Sequence, residues 1–159
     1  MKLPRLLLSA LFLWSASHAA EAPLELKPGD HICFIGNSLA ARMSLPGHNH
    51  FEALLHQRFP KHNLVIRNLA WPADEVALRP RALGFGTPDE HLTFCKADVV
   101  MAFFGFNESF KGPAGVEQFK ADLDAWIVHT QQQNYSGKGA PRIVLVSPIA
   151  AEESSLGRV

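Results

Sequence analysis

Residues His31 to Met43 read HICFIGNSLAARM, and the change of character inside this stretch decides the fold. Ile32 to Ile35 form a short apolar run with Gly29-Asp30 before it and Gly36-Asn37 after it. A run of that length between turn residues reads as a buried strand, HICFIG. Beyond Asn37 the residues become helix formers, with Ser38 at the first helical position. Strand, tight turn and helix in immediate succession make the front of a βα unit.

The pattern recurs along the chain. A Pro46-Gly47 break precedes Phe51, Leu54, Leu55 and Phe59, which fall at helical spacing. NLVIRNLA, Asn63 to Ala70, is the second strand. The mixed segment Trp71 to Lys96 holds one short helix from Asp74 and another from Pro88. DVVMAFFG, Asp98 to Gly105, is apolar on both faces, as a strand covered on both sides must be. Val116, Phe119, Leu123, Trp126, Ile127 and Thr130 then make one apolar stripe, opened by Pro113 and closed by Gly137. RIVLVSP, Arg142 to Pro148, is the fourth strand. Alternating strands and helices predict an α/β domain, a flavodoxin-like three-layer α/β/α sandwich with a parallel sheet. A doubly wound domain normally continues past its fourth strand, so the sheet is expected to be truncated there, in an incomplete domain.

Bulk properties bound the function. The chain has 159 residues, 47% of them apolar, enough for one domain with a real core. Lys2 and Arg5, an apolar run from Leu6 to Ala16, and the small residues around Ser17-His18-Ala19 read as a secretory signal over residues 1–19. That leaves a domain over 20–159, exported to the periplasm or beyond the cell. The apolar run is shorter than the roughly 20 residues a membrane span needs, so no stable membrane insertion is expected. Without Lys2 and Arg5, 13 of the 15 basic residues face 15 acidic ones. That balance offers no footprint for nucleic acid. Cys33 and Cys95 are expected to be buried free thiols, and no His or Cys cluster has zinc spacing, so neither metal nor cofactor is expected.

Ligands of open parallel sheets bind at the carboxyl ends of the strands. Three of those ends carry blocks in a telling order: Gly36-Asn37-Ser38-Leu39, then Asn68 with Asp74, then Gly105-Phe106-Asn107-Glu108. Together they resemble the SGNH hydrolases, the GDSL-type esterases and lipases, across about Asp30 to Ala150. Asn37 stands where that family has Asp, Ala73 where its second block has Gly, and Glu108 where its third block ends in Asp.

The resemblance implies a serine ester hydrolase acting on a small-molecule or carbohydrate ester. Ser38 would be the nucleophile. The oxyanion hole would be the Ser38 and Ala73 backbone N–H groups with the Asn107 amide. Trp71 and Phe106, with Asn37, are candidates for the substrate pocket. Asp74 and Glu75 are expected to cap a helix, and Glu108 to brace its loop. The family takes its acid–base pair from an Asp-x-x-His block, which these 159 residues do not contain. His48 and His50 follow the nucleophile helix and are the nearest substitutes, whereas His31 lies roughly 20 Å away at the start of its strand. Two rival readings stay open: a phosphate- or nucleotide-binding domain, and a non-catalytic exported binding or scaffold domain of the same fold. Further domains after Val159 are also compatible with the pattern.

Overall fold

The computed structural model describes residues 23–81 and 83–150; the expected signal segment therefore lies outside the described residues. Four parallel strands form one sheet: β1 (His31–Gly36), β2 (Val65–Asn68), β3 (Val99–Phe103) and β4 (Arg142–Leu145), in the order β2-β1-β3-β4. Helices α1 (Ser38–Arg42), α2 (His50–Arg58), α3 (Pro88–Phe94) and α4 (Val116–Gln131) connect them. The α/β class and the parallel sheet are as the sequence predicts.

Period-two alternation along the strands splits the core into two faces. Cys33, Ile35, Val100 and Ala102 point to one side, where Leu92 of α3 and Phe119, Leu123 and Trp126 of α4 cover them. Ile32, Phe34, Ile66, Val99 and Phe103 point to the other, under Ala40 of α1 and Phe51 and Leu55 of α2. The sheet is thus the middle of three layers. Its central strands are almost free of solvent, with Cys33, Val99 and Val100 at 0% exposure.

From β1 the chain steps to β2 on one side, then crosses to β3 on the other. The strand order therefore reverses between β1 and β3, the position where doubly wound sheets open a crevice at their carboxyl ends. Gly36 and Phe103 end these two strands in register. A Cβ on Gly36 would sit 2.2 Å from the Phe103 carbonyl oxygen, and its φ is +119°, so only glycine fits. This close approach lets the Asn37 N–H bond the same carbonyl at 3.2 Å.

The opposite edge of the sheet is held by charge. Buried Asp30, just before β1, pairs with Arg142 of β4 at 2.5 Å. Buried Asp98, just before β3, accepts from the His31 N–H and pairs with Lys138 at 3.0 Å.

Four expectations need correction. No helix starts at Asp74: Ala73 has φ +68°, which breaks a right-handed helical path, and the next N–H groups bond elsewhere, Glu75 to Leu78 O and Val76 to Glu108. Consequently Asp74 and Glu75 cap nothing. The last helix ends at Gln131, short of Gly137, which lies in the turn that follows. Val116, assigned to the apolar stripe, is 44% exposed at the first position of the helix, directly after the 3₁₀ turn Pro113–Gly115. β1 spans the HICFIG run as read, whereas β2, β3 and β4 are shorter than their runs, since Leu69, Phe104 and Val146 are already in the loops that leave the sheet.

Candidate active site

The first loop is built by Asn37. Its side-chain Oδ1 accepts the Leu39 N–H at 3.0 Å and so caps α1, while its own N–H is held by β3. Asn37 is 2% exposed, and its Oδ1, N–H and C=O are all engaged in shaping the turn. Ser38 follows as the first residue of α1, half-buried. Among the described residues its N–H has no hydrogen-bond partner. The helix is five residues long, so its dipole adds little, and charge at Ser38 would be met by individual N–H groups.

The second loop is pinned to the first. The Trp71 N–H bonds Gly36 O at 2.9 Å. Asn68 donates from Nδ2 to Ala40 O and Ser44 Oγ, at 2.6 and 2.9 Å, and accepts the Ala70 N–H. The loop then turns through Ala73 at φ +68°, a conformation that disfavours any residue with a Cβ. The Ala73 N–H is also without a partner among the described residues. Beyond it, buried Asp74 takes both terminal nitrogens of Arg81, at 2.7 and 2.8 Å.

The third loop is tied to the second by two consecutive residues. Asn107 donates from Nδ2 to Asp74 O at 2.9 Å, which leaves its second amide hydrogen available. Glu108, buried, accepts the Val76 N–H with one carboxylate oxygen and the Gly105 N–H with the other, each at 2.9 Å. The loop-bracing role expected of Glu108 has here a definite form. The structure thus places Ser38, Ala73 and Asn107 on three loops at the reversal point of the sheet, the second of them bonded to both the first and the third.

The pocket candidates separate. Asn37 and Phe106 border only a crevice of about 10 Å³ beside Pro148, and Phe106 packs edge-on against Phe110. Trp71 lines a cavity of about 440 Å³ that begins at Ile35 and runs toward Phe85 and His91. Sequence reasoning missed this cavity. Most of its walls come from Trp71 to His91, a stretch without strand or long-helix periodicity; the signal that was there is the pair of arginines, Arg79 and Arg81, beside aromatic residues.

Among the described residues no histidine is hydrogen-bonded to Ser38. The His31 Nδ1 donates to Cys95 O, the His91 Nε2 to Phe85 O, and His129 pairs with Asp89. His48, one of the two proposed substitutes, turns its Nδ1 to Pro46 O at 3.3 Å, and the other, His50, opens α2. No group of His, Cys, Asp and Glu among the described residues could hold a metal ion.

No protein-family model and no curated protein matches the chain. Among solved structures it is similar to the psychrotrophic esterase EstA from Pseudoalteromonas sp., determined with monoethylphosphonate as inhibitor. Identity is 19%, the match covers 75% of this chain and 61% of the esterase, and the TM-score is 0.51. A gut microbial diltiazem-metabolizing enzyme, BT4096, matches at 21% identity over 76% of this chain and 27% of its own length, with a TM-score of 0.48. The chain therefore spans about three fifths of the esterase's length. The likeness to the esterase is one of fold.

Proposed function

We propose that this chain supplies the nucleophile and the oxyanion donors of an exported serine ester hydrolase of the SGNH type. The observation that carries the reading is the meeting of the Ser38, Ala73 and Asn107 loops, with the two backbone N–H groups unpartnered among the described residues and the Asn107 amide anchored by Asp74 O.

In this reading the Ser38 Oγ attacks the carbonyl carbon of a bound ester. The carbonyl oxygen becomes an oxyanion and receives hydrogen bonds from the Ser38 N–H, the Ala73 N–H and the Asn107 amide. Collapse of the tetrahedral intermediate expels the alcohol and leaves an acyl-serine, which water then hydrolyses by the same steps. The reaction needs a base to take the Ser38 proton and return it to the leaving alcohol. The SGNH base is the histidine of an Asp-x-x-His block, so the reading requires one from outside these 159 residues, and the chain alone is expected to be inactive.

A second reading, a non-catalytic exported binding domain of the same fold, is favoured by one observation: no histidine among the described residues bonds Ser38. Hydrolysis of p-nitrophenyl acetate by protein made from the gene's entire reading frame separates the two. The enzyme reading expects turnover that Asn107→Ala lowers by about 10²- to 10³-fold in kcat. Turnover indifferent to Asn107, or none, selects the binding reading.

A further inference from the structure

The cavity of about 440 Å³ beside Trp71 has two arginines and a histidine in its lining and no carboxylate. The two arginines are in different electrical states. Arg81 is neutralised by the buried Asp74 carboxylate through two hydrogen bonds, and its guanidinium lies 5.2 Å from the centre of the Trp71 ring and 5.5 Å from that of Phe85. It holds the aromatic wall in place.

Arg79 has no such partner. Its Nε donates to Glu75 O at 3.0 Å, and its guanidinium lies over the Phe104 ring, 4.9 Å from the centroid. No carboxylate among the described residues is within ion-pair distance of it. Burial holds its pKa below the ordinary arginine value, against the pull of Asp74. A half-buried guanidinium without a counter-ion, lining a cavity with an aromatic wall, is a costly arrangement for stability alone. A ligand that brings its own negative charge removes that cost.

We propose that this cavity binds an organic anion, a carboxylate carried on an apolar or aromatic body, with Arg79 pairing the carboxylate and Trp71 and Phe85 packing on the body. The proposal deepens the esterase reading and rests on it for one point only: the carboxylate-bearing part is then the acyl or alcohol portion of the ester. The cavity opens beside the nucleophile turn, since Ile35 lines it and the Trp71 N–H is bonded to Gly36 O. Guanidinium–carboxylate pairing is bidentate and planar, so it would orient the substrate as well as hold it.

The test is calorimetric titration of the full chain, in a Ser38→Ala background, with 3-phenylpropionate and with its neutral amide. The acid is expected to bind and the amide to bind at least about tenfold more weakly. Arg79→Gln should abolish that preference while leaving the amide's affinity unchanged, and Arg79→Lys should restore part of it. Equal binding of acid and amide, no binding of either, or an equal loss of both in Arg79→Gln would overturn the proposal. Because Ser38 is already removed, the result is independent of catalysis. Binding without any phosphonate reaction at Ser38 in unmutated protein made from the gene's entire reading frame would sink the esterase reading alone.

Discussion

The two oxygens of the Glu108 carboxylate accept from two different loops, one from the Val76 N–H and the other from the Gly105 N–H, each at 2.9 Å. A single buried side chain therefore sets the spacing of the second and third loops, and with it the relation of Ala73 to Asn107. Only a carboxylate offers acceptors in both directions. In Glu108→Gln one N–H must face an amide nitrogen that cannot accept. The expected cost is about 1–3 kcal/mol, read as a lower midpoint in urea unfolding with an unchanged slope. An unchanged midpoint would mean that the loops are held by something else.

Ala73 carries strain that a glycine in its place would not. An alanine at φ +68° lies in the left-handed region, which costs an L-residue roughly 1–2 kcal/mol. Glycine removes that strain but has more freedom to lose on folding, worth about 0.5–1 kcal/mol. Ala73→Gly should therefore be stabilising on balance, by up to about 1.5 kcal/mol, with the N–H direction preserved. Thermal unfolding checks the sign: a melting temperature that falls would show that the turn does not require the left-handed conformation.

The two cysteines should differ in reactivity. Burial pushes the Cys33 thiol up to about 12, with nearby Cys95 adding to the shift, so at pH 8 it is almost wholly protonated. Cys33 is 0% exposed and Cys95 half-buried; both are free thiols. Thiolate is the reacting form. In Ellman titration of native protein at pH 8, Cys95 should react and Cys33 should not until denaturant is added. Rapid reaction of two thiols in the native state would contradict the packing of β1.

Much of this arrangement was legible because the fold writes itself in apolar runs. HICFIG and DVVMAFFG could only be central strands, and the residues just after them, Asn37-Ser38 and Asn107, necessarily fall at the carboxyl edge of the sheet. The segment from Trp71 to His91 was not legible in the same way. Its conformation is set by contacts distant in sequence, Glu108 to Val76 and Asn107 to Asp74, and by the Arg81–Asp74 pair, none of which leaves a periodic trace. Asp74 and Glu75 look like helix caps to any local rule, and the left-handed Ala73 before them cancels the helix. The end of α4 is hidden for a related reason: Gly137 marks a turn, but the helix ends six residues earlier, at Gln131, just past the buried Thr130.

The central claim is that Ser38 is a nucleophile beside a prepared oxyanion site. Its most direct test is reaction of protein from the whole reading frame with a fluorophosphonate, followed by peptide mapping of the adduct. The account expects one adduct, on Ser38, lost in Ser38→Ala and slowed by Asn107→Ala. An unlabelled protein, or an adduct that persists in Ser38→Ala, would contradict it and leave the three loops as the rim of a binding site.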